Sequence, residues 1–137
     1  MKRAIALALT CLTLTLASAV PARADETVVQ PIPRACTIAT TICIDTTFLA
    51  LRYVSDGKIL RTMDIRVGAP KFPTDQGLFH VYRKARHHSS SDYGTPMPYS
   101  LFYNGAESIH YSYYFHRDGY NGASHGCVNL RDFAGAG

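Results

Sequence analysis

Cys127 and His110, near the end of the 137-residue chain, are two residues whose types suit nucleophilic chemistry. Cys127 lies in the run Ser124-His125-Gly126-Cys127-Val128-Asn129, where glycine and histidine precede the thiol. Cysteine attacks as a thiolate, so it needs a nearby base, and imidazole titrates near neutral pH. Cys127 is therefore the candidate nucleophile, and His110 the candidate general base, of an acyl-transfer reaction.

The stretch from Ile109 to Leu130 resembles the signature of the L,D-transpeptidases, the YkuD-type enzymes that cross-link bacterial peptidoglycan. In that signature a histidine precedes a Ser/Thr-His-Gly-Cys block, and the thirteen residues between the first histidine and Ser124 fit its spacing. Two upstream segments, 72–84 and 95–104, are similar to further parts of the family. The resemblance covers roughly residues 42 to 131.

The resemblance implies a role for each residue around the thiol. In the family the first histidine is held by the backbone carbonyl next to it, which in this chain belongs to Tyr111. The backbone N–H groups of Gly126 and Cys127 are expected to stabilise an oxyanion, because glycine permits close approach and unusual dihedral angles. Three neighbours are expected to orient the turn, to contact substrate or to make local turn hydrogen bonds: His125, Asn129 and Ser124.

The resemblance also implies a two-step reaction on peptidoglycan stem peptides. Cys127 would attack the L,D peptide bond before the terminal D-alanine of a tetrapeptide stem, releasing D-alanine and forming a thioester. An amine of a neighbouring stem would then convert the thioester into a 3→3 cross-link, whereas attack by water would make the same site an L,D-carboxypeptidase. This chemistry needs no cofactor, and carbapenem-type inhibitors resemble its acyl donor.

Two other classes of function are alternatives. A non-catalytic secreted module that binds the cell wall would not depend on the thiol. A zinc site would use imidazole and thiolate ligands, for which the candidates are His110, His116, His125 and Cys127. No C-x-x-C or H-x-x-x-H pair accompanies these residues, so the sequence predicts no metal site.

The first 24 residues have the composition of a secretory signal peptide. A basic start at Lys2 and Arg3 precedes an apolar stretch from Ala4 to Val20, and alanines at positions 22 and 24 make an A-x-A cleavage site. The apolar stretch is short for a membrane span, which needs about 20 residues. The chain is therefore predicted to be exported to the periplasm, cell wall or extracellular space, without a stable membrane anchor.

The charge of the predicted mature chain does not favour a nucleic-acid partner. The whole chain has a formal net charge of +4, but three of its fourteen basic residues lie in the predicted signal, and all ten acidic residues follow it. Eleven bases against ten acids then remain. The one basic run, at 83–88, is short enough to be a solvated loop.

The elements that must position the site are predicted to be β-strands of one domain. Residues 25–35 are polar and proline-bearing, so they are predicted to be an extended lead-in to a catalytic domain at 36–137. Segments rich in β-branched, apolar or aromatic residues predict strands at 40–47, 49–54, 59–67, 78–83, 99–103 and 108–115. Since no segment before Val128 has a convincing helical period, the predicted fold is mostly β. The family resemblance also implies a YkuD-like β-sandwich with long loops over the cysteine.

Two loops in this scheme have specific predictions. Residues 55–58 (Ser-Asp-Gly-Lys) suit a hairpin turn between the second and third strands. The polar loop 86–97 is long for a compact domain, and loops of this length are often lids over functional sites.

Cys36 and Cys43 are predicted to form a disulfide. With Cys11 in the predicted signal, the exported chain has three cysteines, an odd number that leaves one free. The two upstream cysteines are seven residues apart and can close a small loop, so that Cys127 stays reduced. The alternatives are three reduced thiols, or a Cys127 that is only a buried apolar residue.

The C-terminal end is short for the family, whose domains continue with a helix and a closing strand. Residues 132–134 suit the start of a helix, but glycines at 135 and 137 oppose its extension. Each glycine costs about 1 kcal/mol relative to alanine within a helix. The resemblance therefore implies either a C-terminally truncated chain or a minimal variant of the domain.

Overall fold

Strands dominate the structure, a computed structural model that describes residues 32–37 and 40–137. The predicted signal peptide and most of the predicted lead-in lie outside the described residues. After a short 3-10 helix at Arg34–Thr37, the elements are β1 (Thr41–Asp45), β2 (Ala50–Ser55), β3 (Lys58–Arg66), β4 (Arg83–Ala85), β5 (Ser100–Asn104), β6 (Glu107–Tyr111), α1 (Tyr113–Asp118), β7 (Val128–Leu130) and α2 (Phe133–Ala136). Neither α1 nor α2, the α-helices of this described part, is long and apolar enough to cross a membrane.

The strands of the described chain form one sheet in the order β1-β2-β3-β7-β6-β5-β4, which confirms the predicted mostly β class. Neighbouring strands are antiparallel except β6 and β7, which run parallel. Parallel neighbours need a crossover rather than a tight turn, and α1 lies in that crossover. The last strand of the chain therefore enters the middle of the sheet, between β3 and β6.

The predicted strand at 108–115 is wrong in its second half. β6 ends at Tyr111, and α1 begins two residues later. Ser112 is the N-cap of α1, and its hydroxyl accepts a hydrogen bond from the Phe115 backbone N–H at 3.3 Å. The aromatic residues looked like strand residues, but the cap and the fully buried Phe115 favour a helical turn.

The predicted strand at 78–83 is also wrong over most of its length. Only the last of these residues is in a strand, because β4 comprises Arg83–Ala85 and pairs with β5. Leu78, the first residue of the prediction, is 81% exposed. Its apolar type favoured a strand, but the segment packs too little apolar surface to behave as one.

The strands around β7 present one apolar and one polar face. The buried apolar cluster consists of Leu51, Ile65, Ile109, Val128 and Leu130. Successive side chains of a strand point to opposite faces, so their neighbours Arg66, Ser108, His110 and Asn129 lie on the other face. These four polar residues are also buried.

Cys36 and Cys43 form the predicted disulfide, with an S–S distance of 2.05 Å. The bond joins the 3-10 helix to β1, at the edge of the sheet. Cys127 is the free cysteine of the described residues.

Candidate active site

The loop that carries Cys127 is tied to the loop after β3 by a threonine hydroxyl. Thr74 Oγ1 donates a hydrogen bond to the Gly126 carbonyl at 2.7 Å and accepts one from the Gly68 N–H at 2.9 Å. Thr74 is itself buried. It lies in a segment that resembles the family, but its sequence position alone does not indicate this contact. Its contacts hold the residue before Cys127 in place.

Two glycines permit this close approach of the two loops. Gly126 has a φ of +111°, in a region that side chains rarely tolerate. A Cβ on Gly68 would lie 2.0 Å from the Phe72 carbonyl oxygen and 3.0 Å from the Gly126 nitrogen. Side chains at either position would therefore displace the backbone beside Cys127.

Ser124 makes hydrogen bonds within the same turn. Its hydroxyl donates to the carbonyl of Cys127, and its backbone N–H donates to the Val67 carbonyl at 3.0 Å. The segment before Cys127 is thereby attached to the end of β3. This attachment fixes where the thiol emerges.

The Cys127 thiol is partly exposed and lies beside β6. Its sulfur is 3.9 Å from the Ser108 hydroxyl oxygen and 3.9 Å from the Ala106 carbonyl oxygen. His110 pairs with Asn129 in the parallel register of β6 and β7. Cys127 therefore lies on the same face of the sheet as His110, one diagonal step away from it.

His110 is 5% exposed, and both of its ring nitrogens have partners. Nδ1 lies 2.7 Å from the Tyr111 carbonyl oxygen, which only accepts hydrogen bonds, so Nδ1 carries the proton. Nε2 lies 3.1 Å from the Asn129 side-chain nitrogen.

Burial lowers the pKa of His110 below the usual value of 6.5 for histidine. The hydrogen bond to Tyr111 opposes this shift, while the nearby charges of His88 and Arg66 add to it. His110 therefore stays a neutral base at neutral pH.

Arg66, at the end of β3, is a buried residue that the sequence did not indicate as part of the site. Its Nε and Nη2 donate to Asn129 Oδ1 at 3.4 and 3.2 Å. The guanidinium also lies 5.4 Å from the centre of the Phe115 ring, and Nη1 donates to the Gly119 carbonyl at 3.3 Å. Only the register of β3 against β7 brings this cation to Asn129.

An acidic side chain, Glu107, lies against the other side of the turn. Its Oε1 is 2.6 Å from where a Cβ on Gly126 would be, and its carboxylate accepts from the Asp75 N–H at 3.4 Å. Burial raises the pKa of this carboxyl group. Burial, and then the charge of Glu107, raises the pKa of Tyr103. The buried hydroxyl of Tyr103 makes no hydrogen bond of standard geometry within the described residues. The sequence did not indicate Glu107 as a neighbour of the turn.

His125 lies in an aromatic stack. Its ring centre is 4.5 Å from that of Tyr93 in the loop 86–97, in a stacked arrangement, and 4.8 Å from that of Phe72. The histidine thus connects the long loop to the segment after β3. The stack is exposed, and His125 lies two residues before Cys127 in the chain, so the stack offers an aromatic surface on this loop.

The candidate zinc ligands have separate partners. His116 Nδ1 donates to the Arg131 carbonyl at 3.2 Å, while His110 and His125 make the contacts described above. In residues 32–37 and 40–137, no group of three or more His, Cys, Asp or Glu side chains is arranged to hold a metal ion.

The fold and the site define a mostly β domain with a neutral, buried histidine on β6 and a free cysteine in the loop just before the neighbouring strand β7. The model of the YkuD family, the L,D-transpeptidase catalytic domain, matches residues 39–134. The chain therefore belongs to this family, and the family resemblance drawn from the sequence is confirmed.

Solved structures of L,D-transpeptidases are similar to this chain. The enzyme from Stackebrandtia nassauensis is 32% identical with a TM-score of 0.61, over 67% of this chain and 45% of its own. The one from Xylanimonas cellulosilytica is 25% identical with a TM-score of 0.68, over 78% of this chain and 55% of its own. The chain thus spans about half the length of these two proteins.

A catalytic domain from E. faecium, solved as the L,D-transpeptidase acylated by ertapenem, is also similar. It is 29% identical with a TM-score of 0.54, over 67% of this chain and 81% of its own. No curated protein matches the chain.

Proposed function

We propose that this protein is an L,D-transpeptidase that acts on peptidoglycan stem peptides through a thioester on Cys127. The observation that supports this most is the position of the partly exposed, free thiol beside the strand that holds a neutral His110. Family membership supplies the reaction class, and the site supplies residues of the types that this reaction needs.

In the first step, the Asn129 amide N–H leaves His110 Nε2, which accepts the thiol proton, and the thiolate attacks the carbonyl carbon of the L,D peptide bond before the terminal D-alanine. The N–H groups of Gly126 and Cys127 stabilise the resulting oxyanion. The tetrahedral intermediate then collapses, the C–N bond breaks, and the leaving amine of D-alanine takes the proton from His110.

In the second step, an amine of a neighbouring stem attacks the thioester carbonyl and gives its proton to His110. The C–S bond breaks, the proton returns to the sulfur, and a 3→3 cross-link remains. Water in place of the amine would hydrolyse the thioester, which is the L,D-carboxypeptidase reaction. The two reactions differ only in the acceptor.

The neighbours of the thiol have supporting roles in this proposal. Tyr111 holds the Nδ1 proton of His110 by its carbonyl, and Ser124 and Gly126 shape the turn. His125, in its stack with Tyr93, provides a surface for substrate. Carbapenem-type inhibitors are expected to acylate the same thiol, as the ertapenem-acylated relative suggests.

Export is part of the proposal, because the stem peptides of peptidoglycan lie outside the cytoplasm. The support for it is the signal-like composition of residues 1–24. Mass spectrometry of the protein recovered from the cell envelope should find a chain that begins at residue 25. Recovery of the intact chain from the cytoplasm alone would contradict export.

The test of the enzymatic proposal is the intact mass of the purified protein after incubation with ertapenem, with Cys127→Ala as the control. We expect a covalent adduct on the native protein and none on the variant. Folded native protein that forms no adduct would contradict the proposal and favour a non-catalytic wall-binding module.

The second arm of the test uses a stem tetrapeptide, alone and with an amine-bearing stem as acceptor. Release of D-alanine together with a cross-linked dimer supports transpeptidation. Release of D-alanine with free tripeptide alone would assign the carboxypeptidase reaction instead.

A further inference from the structure

We propose that Arg66 is a positioning residue that acts through Asn129 to keep His110 a neutral imidazole with an unprotonated Nε2. This inference rests on the proposed function in one respect: it makes His110 the base whose state matters. Neither Arg66 nor its link to the histidine is part of the sequence motif.

Three neighbouring strands bring Arg66, Asn129 and His110 into register. Arg66 on β3 pairs with Asn129 on β7, and Asn129 pairs with His110 on β6. The three side chains share one face of the sheet and form a row across it. All three are buried, so water does not readily replace the hydrogen bonds between them.

The hydrogen bonds along this row have a defined direction. A guanidinium group only donates, so the atom of Asn129 that faces Arg66, at 3.2 and 3.4 Å, must be the carbonyl oxygen. The amide nitrogen of Asn129 then faces His110 Nε2 at 3.1 Å and donates to it. Nδ1–H of the same ring donates to the Tyr111 carbonyl at 2.7 Å. Each group in the row thus has one consistent role.

A second proton on His110 would disrupt this pattern of donors and acceptors. A proton on Nε2 would face the N–H groups of the Asn129 amide, which leaves two donors opposed. If the amide turned over, its N–H groups would face the guanidinium instead. Either arrangement leaves a buried donor without an acceptor, which is unfavourable. The row therefore disfavours the imidazolium form.

The charged and titratable groups around His110 are Arg66, His88 and Cys127. Arg66 approaches from β3 and His88 from the loop 86–97, and positive charge on either lowers the pKa of His110. The Cys127 thiol lies beside β6 on the same face. A test must therefore separate the hydrogen-bond row from the charge of Arg66.

Arg131 offers a matched control for this purpose. Its guanidinium also lies over the Phe115 ring, at 5.0 Å, but it pairs with Asp64 and makes no hydrogen bond to Asn129 among the described residues. Arg131→Met and Arg66→Met each remove one guanidinium that lies over the Phe115 ring and leave the same aliphatic side chain. Only the second variant breaks the row.

The experiment is an NMR titration of ¹⁵N-histidine-labelled full-length protein without substrate. In the native protein we expect His110 to be the Nδ1–H tautomer. In Arg66→Met the Asn129 amide is free to turn and accept from Nε2–H, so the pKa of His110 should rise by about one pH unit, or tenfold in the protonation constant. Arg131→Met should leave it within about 0.3 units of the native value.

Asn129→Asp gives an independent test, because the aspartate can still accept the hydrogen bonds of Arg66. A carboxylate accepts both from the guanidinium and from Nε2–H, so the pKa of His110 should rise here too, whether or not Arg66→Met folds. An unchanged pKa in Asn129→Asp, an equal rise in Arg131→Met, or an Nε2–H tautomer in the native protein would each overturn the proposal.

The titration uses no substrate, so it can fail while the proposed function holds, and it can succeed while the proposed function fails. If His110 behaves as expected but ertapenem forms no adduct, the row exists without the enzymatic role. If the adduct forms but the pKa of His110 does not respond, the enzyme is supported and the role of Arg66 is overturned. If both proposals hold, the pH below which the acylation rate falls should be higher in Arg66→Met than in the native protein, because the pKa of His110 is higher.

Discussion

The two faces of β3, β7 and β6 are both buried, yet they differ in how their side chains are held. On one face Ile65, Val128 and Ile109 are at most 4% exposed and pack as an apolar cluster. On the other face Arg66, Asn129 and His110 are also buried, but each is held by directional hydrogen bonds. The apolar face needs only suitable volume, whereas the polar face needs each donor opposite an acceptor.

Burial alone therefore does not show whether a residue contributes to stability or to activity. The apolar face is expected to contribute to the free energy of unfolding, because it removes apolar surface from water. The polar face is expected to contribute mainly to the protonation state of His110. Mutations on the two faces should therefore separate stability from activity.

The largest effect is expected on the polar face. His110→Gln should lower the rate of acylation by ertapenem by about 10²- to 10⁴-fold, the usual contribution of a general base. Its free energy of unfolding should change much less than its activity. The rate is measured by intact mass over time, and the thermal midpoint reports the fold.

His116→Gln is the matched control, since His116 also donates from Nδ1 to a backbone carbonyl but is exposed. It should acylate at a rate close to that of the native protein. Equal rates for the two variants would contradict the role of His110.

A core substitution should give the opposite result. Ile65→Ala on the apolar face should lower the free energy of unfolding by about 3 kcal/mol, through lost burial and the cavity left behind. Under conditions where it is folded, it should still form the ertapenem adduct. Urea denaturation measures the first quantity and intact mass the second.

Leu60→Ala provides the comparison on the same strand, because Leu60 is 59% exposed. Its effect on unfolding should be within about 0.5 kcal/mol. A loss of stability as large as that of Ile65→Ala would show that the apolar cluster is not the main source of stability in this strand.

The disulfide should matter less, and only for stability. Replacing both Cys36 and Cys43 by serine removes a bond that closes a loop with a sequence separation of seven. Chain entropy predicts a loss of about 2.5 kcal/mol for so short a loop. Acylation of Cys127 should proceed at the native rate while the variant is folded, and a slower rate would mean that the sheet edge affects the site.

The smallest effect is the pH dependence of unfolding. His110 has a pKa below 6.5 in the folded protein because it is buried, whereas the unfolded chain has about 6.5. Between these two values the unfolded state binds more protons, so stability rises with pH there and falls as pH drops below about 6.5. His110→Gln should lose this component. Urea denaturation from pH 5 to 7.5, compared between the two proteins, measures it, and identical profiles would contradict the shift.

For several strands, the residue types within the segment were sufficient to predict a strand. The hairpin of β2 and β3, its turn at 55–58 and the disulfide are close to their predictions. The same reasoning was wrong for 108–115 and 78–83. Aromatic residues there fit a strand as well as a helix or a loop, and only the Ser112 cap and the pairing of β5 decide between them.

The residues of the site divide in the same way. Cys127, His110 and the turn that contains Gly126 form a motif that is recognisable in the sequence. Thr74, Arg66 and Glu107 are distant in sequence from that motif and were not predicted. No local pattern marks such residues, since their partners depend on which strands become neighbours.

The amino-acid sequence alone was sufficient to predict the mostly β class, the family and a candidate pair of residues for nucleophilic chemistry. These follow from residue types and short spacings, which act locally. The position of β7 between β3 and β6 is seen only in the tertiary structure. This strand order forms the row from Arg66 through Asn129 to His110. Strand order and register arise from the burial of the whole sheet, so the partners of the base are a property of the fold and not of the motif.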